Sequence, residues 1–168
     1  TNQAVKKSIN EVKKASKKYP DHQILVTGCA SQIDKKSFLN LKNFFKVIDN
    51  KTKTNPVNYN NKISSNPDVF NFPYLENFST NRSRAMLQIQ QGCDHRCTFC
   101  IIPYGRGDSK SLPFDEISRR TSSILKKGYS EIVLTGVDLT SYGHDLTGTP
   151  RLGNIIKRLL SLHPKLKR

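Results

Sequence analysis

Residues 85–100 read AMLQIQQGCDHRCTFC, and this stretch decides the fold. Its first part, Ala85–Gln90, is a short apolar run of strand type, and Gly92 then opens a loop. The loop carries Cys93, Cys97 and Cys100 in a C-x3-C-x2-C pattern. A helix is expected after the loop, so the thiols stand at the C-terminal edge of a sheet, where α/β folds place their chemistry. Three thiolates on one short loop can hold three corners of a 4Fe-4S cube. The fourth iron then stays open to a ligand, as an open position does on a catalytic metal. Two other readings stand beside this one. Cys93, Cys97, Cys100 and His95 could make a Cys3His zinc site, although four ligands on so short a loop are cramped, or the loop could carry no metal. A ferredoxin loop would show C-x2-C-x2-C instead.

Working outward, Pro113 suits the first turn of a helix, and Asp115 and Glu116 favour its positive end. Ile117, Ile124 and Leu125 form its apolar face, and Gly128 is placed to end it. Glu131–Thr135 is an uninterrupted apolar run of the parallel, doubly covered kind, and residues 150–162 read as a further helix. Strand, long loop, helix, strand, loop, helix is the opening of a β/α barrel or a doubly wound sheet. It accounts for about two of the eight strands of a closed barrel.

Upstream, residues 2–19 form an expected helix with Val5, Ile9, Val12 and Tyr19 on one face, ringed by lysines and stopped by Pro20. Gln23–Thr27 is a short buried strand delivering Cys29 at its C-terminal end; residues 34–43 suggest a helix and Phe44–Ile48 a strand. The order fits an α/β layer with a parallel sheet. Residues 50–84 are rich in Asn and read as an irregular linker, with Phe70, Phe72 and Tyr74 as aromatic anchors. The expected organisation is therefore α/β throughout, with one domain over 1–49, a linker over 50–84 and a second domain over 85–168.

The 168 residues carry 28 Lys+Arg against 13 Asp+Glu, a net charge of +15. Such a charge attracts phosphate backbones. An A/T-rich genome, which inflates Lys, Asn and Ile together, explains it equally well. No apolar run approaches the roughly 18 residues that cross a bilayer, and no signal peptide opens the chain, so a cytoplasmic protein is expected. Three of the four cysteines lie within one loop, which argues against a disulfide scaffold. The chain opens on Thr1 and its single Met is Met86, so an interior piece of a longer protein is expected.

The motif with its flanks, Gln88-Ile-Gln-Gln-Gly-Cys-Asp-His-Arg-Cys-Thr-Phe-Cys-Ile-Ile-Pro-Tyr-Gly-Arg-Gly107, resembles the radical S-adenosyl-L-methionine methylthiotransferases. Leu134-Thr-Gly-Val-Asp-Leu-Thr-Ser-Tyr-Gly143 does so as well, and both segments look most like the branch acting on N6-threonylcarbamoyladenosine in tRNA. Sibling branches act on isopentenyladenosine in tRNA or on an aspartate of a ribosomal protein. Thr27-Gly-Cys-Ala-Ser-Gln32 resembles the third cysteine motif of the family's N-terminal domain, which holds a second cluster.

The resemblance implies the C-terminal part of an N-terminal methylthiotransferase domain, followed by the first β/α units of a radical SAM partial TIM barrel. It implies Cys93, Cys97 and Cys100 as ligands of the radical SAM 4Fe-4S cluster. It implies Cys29 as one ligand of the second 4Fe-4S cluster, whose other ligands this sequence does not contain. Among the cofactor contacts, Phe99 would pack near the adenine of S-adenosyl-L-methionine, a plain core aromatic being the ordinary alternative. Gly136 and Asp138 follow the second strand. Glycine permits close backbone approach to a ligand and the aspartate can accept from an amino group or a ribose hydroxyl, with an Asx-capped turn the alternative. Arg106, His95, Tyr104 and Tyr142 stay unassigned between pocket and surface roles. The implied partners are tRNA and an electron donor such as a flavodoxin or ferredoxin, with no membrane. A non-catalytic, metal-stabilised RNA-binding module is the alternative from another class.

Overall fold

A computed structural model describes residues 2–53, 55–59 and 83–168. The chain divides into two compact units. One holds the described residues up to 59 together with Thr98–Arg106; the other holds residues 83–97 and Gly107–Arg168. The expected linker over 50–84 lies mostly outside the described residues, as do Phe70, Phe72 and Tyr74.

In the first unit, α1 spans Asn2–Lys18. Val12 is buried and Ile9 packs beside it, but Tyr19 is exposed and does not extend the apolar face. The fourth inward position belongs to Ser16, whose hydroxyl donates to the Lys42 carbonyl at 2.6 Å, with the Val12 carbonyl at 3.0 Å sharing the same proton. A buried hydroxyl whose proton is taken up is tolerated where an unpaired one is not. Strands β1 (Ile24–Thr27) and β2 (Phe44–Ile48) pair in parallel, as the alternation of elements predicts. Phe38, fully buried, closes the core with Val12 and Val26.

Two details correct the sequence reading. β1 is only half-buried along most of its length, and it ends at Thr27; Gly28 takes φ +119°, and Cys29 opens a short helix rather than closing the strand. The single helix expected over 34–43 is instead α2 (Cys29–Ile33) and α3 (Lys36–Leu39). Asp34 separates them because its carboxylate accepts from the Ser37 backbone N–H at 3.2 Å and from the Ser37 hydroxyl. That competes with continued helix in the usual manner of aspartate.

In the second unit, β3 (Arg84–Gln88) pairs in parallel with β6 (Glu131–Thr135) over an unbroken register, Arg84 opposite Glu131 through Gln88 opposite Thr135. Ala85, Leu87 and Ile89 point into the core while Met86 is exposed, so β3 has one covered face. β6 is half-buried at every position rather than doubly covered. Among the described residues its sheet has only two strands, and the other edge of β6 is met at its start by the C-terminal residues: the Ile132 N–H donates to the Arg168 carbonyl at 2.7 Å and the Lys167 N–H to the Ser130 carbonyl at 2.8 Å.

The strand expected over 85–90 is broken near Ile89. Gln90–Gln91 (β4) turns to pair antiparallel with Lys110–Ser111 (β5). Between them runs α4 (Ile102–Arg106), which groups with the first unit. α5 spans Phe114–Lys126, with Pro113 as its extended N-cap residue, just outside the helix. Gly128, at φ +90°, follows its C-cap. α6 (Leu152–Leu162) adds Ile155 and Leu159 to a core of Leu87, Ile89, Ile117 and Ile124. Each such side chain, fully buried, contributes about 1.5–3 kcal/mol of transfer free energy.

Candidate metal centre

The base of the cysteine loop is built by backbone. Besides the β4–β5 pair, the Cys93 N–H donates to the Gly107 carbonyl at 3.1 Å, and the Ser109 N–H donates to the Asp94 carboxylate at 2.8 Å. Gly92 has φ +74°, and a Cβ there would stand 2.0 Å from the Asp108 carbonyl oxygen. Only glycine fits. Arg96 spans the loop, donating to the Cys93 carbonyl at 3.2 Å and pairing with Asp108 at 3.1 Å.

Cys93 sits at this base and is 9% exposed, Cys97 is exposed, and Cys100 is half-buried. All are free thiols. Cys97 belongs to the second unit and Cys100 to the first, since the chain passes from one to the other between Cys97 and Thr98. Three free thiols in the C-x3-C-x2-C frame, with the Asp94 carboxylate turned to the Ser109 N–H, are the soft donor set that iron–sulfur clusters take, so these residues fit such a cluster.

Asp138 lies at the other side of the Cys93 loop. Its Oδ2 is 3.0 Å from His95 Nε2 and 3.9 Å from Cys93 Sγ. These three form the group of metal-type donors that comes together among the described residues, and it contains neither Cys97 nor Cys100. The Ser141 and Thr140 hydroxyls donate to the Asp138 carboxylate. The Ser141 bond, then that of Thr140, holds the carboxyl below its ordinary pKa, and His95 pulls the same way. The carboxylate therefore stays charged, with His95 rather than solvent as its outer neighbour. The turn expected at Asp138 is present, but its carboxylate takes the Thr140 and Ser141 hydroxyls rather than making an Asx cap, and it faces Cys93.

The other site residues are dispersed. At Gly136 the space a Cβ would take is filled by Leu139, 2.7 Å away, and by Gln90 Oε1 at 2.9 Å, so the close approach that glycine permits is to protein atoms. Tyr142 is no pocket wall. It is 2% exposed in the core and its hydroxyl donates to the Leu112 carbonyl at 2.7 Å. Burial, with Asp145 nearby, pushes its pKa up to about 12. Tyr104 and Arg106 are exposed on α4.

Phe99 is 91% exposed, which excludes a core role. It stands at the rim of a cavity of about 630 Å3 in the first unit, shared with Val5, Ile9, Cys29, Ile33 and Ile101. Cys29 is half-buried there. Asn50, itself buried, brings its side-chain amide to 3.8 Å from Cys29 Sγ and donates to the Gly105 carbonyl at 2.6 Å.

Two residues essential to this arrangement escaped the sequence reading. Asn50 looks like one of many asparagines. Gln90 looks like one of three glutamines closing a strand, and it stands out of phase with the inward Ala85, Leu87 and Ile89; the break of the strand near Ile89, which no pattern in the sequence marks, is what buries it.

Residues 87–165 match the radical SAM superfamily. The chain is 43% identical, over its whole length, to threonylcarbamoyladenosine tRNA methylthiotransferase MtaB of Rickettsia prowazekii, covering 41% of that protein. It is 30% identical over 94% of its length to tRNA-2-methylthio-N(6)-dimethylallyladenosine synthase of Thermodesulfovibrio yellowstonii, covering 40% of it. It is 33% identical over 95% of its length to ribosomal protein uS12 methylthiotransferase RimO of Carboxydothermus hydrogenoformans, covering 38% of it. The chain belongs to the radical SAM methylthiotransferases, a family of enzymes, and its similarity is greatest, among these three, to the threonylcarbamoyladenosine branch. It spans about two fifths of the length of these relatives. Among the described residues no helix is long and apolar enough to cross a membrane.

Proposed function

We propose that this chain is part of an enzyme that adds a methylthio group to C2 of N6-threonylcarbamoyladenosine in tRNA. The observation that carries the proposal is the 43% identity, over the whole chain, to a relative named for that substrate, spanning both the Cys29 motif and the cysteine loop. The two sibling substrates, isopentenyladenosine in tRNA and a ribosomal-protein aspartate, are the second reading, favoured by matches to relatives of those names.

In this reading Cys93, Cys97 and Cys100 hold a 4Fe-4S cluster and Cys29 contributes to a second. When bound, the cluster supplies an open iron for the amino and carboxylate groups of S-adenosyl-L-methionine and the electron for its reductive cleavage. The chain's own residues bind and orient. Gly92 and the β4–β5 pair fix the base of the loop, so Cys93 is presented from a rigid edge. Asp138, kept charged by Ser141 and Thr140, accepts from the cofactor's amino group or ribose, and Gly136 lets the strand end run close enough to present it. Phe99, exposed and free of the core, is available to cover the adenine. A flavodoxin or ferredoxin delivers the electron, and tRNA is the partner that the charge of +15 attracts.

The test is complementation. A bacterial strain lacking its threonylcarbamoyladenosine methylthiotransferase receives the parent gene, and its tRNA is digested and examined by mass spectrometry. Appearance of the 2-methylthio derivative of threonylcarbamoyladenosine is the expected result. Methylthiolated isopentenyladenosine alone, or no methylthiolated tRNA nucleoside, overturns it.

A further inference from the structure

Gln90 is fully buried, and its one amide group joins both flanks of the cysteine site. Its Oε1 accepts from the backbone N–H groups of Val137 at 2.8 Å and Asp138 at 2.7 Å. Its Nε2 donates to the Gly92 carbonyl at 2.9 Å and the Ser109 hydroxyl at 3.0 Å, with the Gln91 carbonyl further off at 3.2 Å. The two backbone N–H groups need an acceptor and the Gly92 carbonyl needs a donor, so this chemistry fixes which end of the amide faces which loop. Gly136 is part of the same device, because a Cβ there would crowd Gln90 Oε1 at 2.9 Å.

We infer that Gln90 is a positioning residue for S-adenosyl-L-methionine: by clamping the Asp138 turn to the peptide preceding Cys93, it sets the distance between the Asp138 carboxylate and the cysteine loop. The inference rests on the assignment of Asp138 to the cofactor, but the clamp itself does not need any cofactor. Without the Oε1 acceptor, two backbone N–H groups lose their partner, and the turn has no other tie to β4 among these bonds. Asp138 then keeps its local contacts with Thr140 and Ser141 but loses its register against Cys93.

The experiment compares the wild-type chain with Gln90→Leu and Gln90→Glu. Leucine keeps the volume and removes every hydrogen bond; glutamate keeps an acceptor toward Val137 and Asp138. Hydrogen exchange on the cluster-free proteins should show the Val137 and Asp138 amides exchanging roughly tenfold faster in Gln90→Leu, with α5 unchanged, as expected for the loss of one or two buried hydrogen bonds. Gln90→Glu should restore most of that protection. After anaerobic reconstitution, Gln90→Leu should keep the wild-type iron content while its Kd for S-adenosyl-L-methionine, read from the change the cofactor makes in the spectrum of the reduced cluster, rises about tenfold or more.

Unchanged protection at 137–138 overturns the clamp. So does loss of protection that extends to α5, which would make Gln90 an ordinary core residue. An unchanged Kd in the variant overturns the cofactor-positioning role. A wild-type chain that binds iron but no S-adenosyl-L-methionine sinks the functional reading, and with it that role, while the exchange measurement still decides the clamp.

Discussion

Gly105 lies against Cys29: a Cβ on Gly105 would stand 3.0 Å from the Cys29 Cβ and 3.3 Å from its Sγ. Helix α4, which follows Cys100 in sequence, is thereby seated on the helix that Cys29 opens, and Asn50 bridges the two by donating to the Gly105 carbonyl. The two cysteine motifs are some 70 residues apart in sequence, yet Cys29 and Cys100 fall within one compact unit.

This packing predicts the effect of Gly105→Ala. The added methyl has to displace Cys29 or Ile33, and overpacking of this kind costs about 1–3 kcal/mol. Urea denaturation should show the first unit destabilised by that amount. Gly153→Ala, where the added carbon meets nothing within 4 Å inside α6, should instead be neutral or stabilising. Equal midpoints for the two variants would contradict the close contact.

Gly92→Ala should be more damaging than Gly128→Ala. Both positions have positive φ, which costs a side chain of order 1–3 kcal/mol. At Gly92 the Cβ would in addition meet the Asp108 carbonyl at 2.0 Å, whereas at Gly128 nothing stands within 4 Å. Thermal unfolding checks the order. The Gly92 variant should also lose iron uptake, because the base of the cysteine loop has to open.

Replacing Cys93, Cys97 or Cys100 singly by Ala should abolish retention of about four irons after anaerobic reconstitution. His95→Ala should keep the iron, because His95 answers to Asp138 at 3.0 Å rather than supplying a thiolate. Iron and sulfide analysis with the visible absorbance decides it. Wild-type iron in Cys97→Ala, or bound zinc in place of iron in the wild type, would reject the cluster assignment.

Glu116 carries an acid-dependent part of the stability. Its hydrogen bonds from Arg119, and from the buried Arg120 at 2.7 Å, lower its pKa from 4.5 to about 2. A depressed folded-state value means that this contribution is present above about pH 4.5 and is lost as the pH falls toward 2. The stability difference between wild type and Glu116→Gln should therefore be largest near neutrality and shrink through that window. A difference constant from pH 7 to pH 2, measured by denaturant titration, would refute the pairing.

The six lysines of α1, with Glu11 as the helix's single acid, are a candidate phosphate-facing surface. Affinity for tRNA should fall steeply with salt, and changing Lys6, Lys13 and Lys17 together to Gln should flatten that slope by up to about three. An unaltered slope would leave the charge to genome composition.

The local patterns were legible without the fold. Helical spacing locates α1, α5 and α6, and short apolar runs locate β2 and β6, to within a residue or two, because each helix buries one stripe whose period is written in the chain and each strand is a bounded apolar segment. The C-x3-C-x2-C spacing names the candidate ligands for a similar reason: all three thiols lie within one short loop. What tertiary structure decided is the company those residues keep. No local pattern says that Gln90, rather than Gln88 or Gln91, is the glutamine that turns inward to bind Val137 and Asp138, since that depends on β6 lying beside β3. Nor does it say that Tyr142 belongs to the core and Phe99 to solvent, or that Gly105 and Asn50 meet at Cys29. Hydrophobic period is a property of neighbours along the chain, whereas satisfying a buried amide or leaving room for a Cβ depends on partners that only the folded chain brings within a few ångströms.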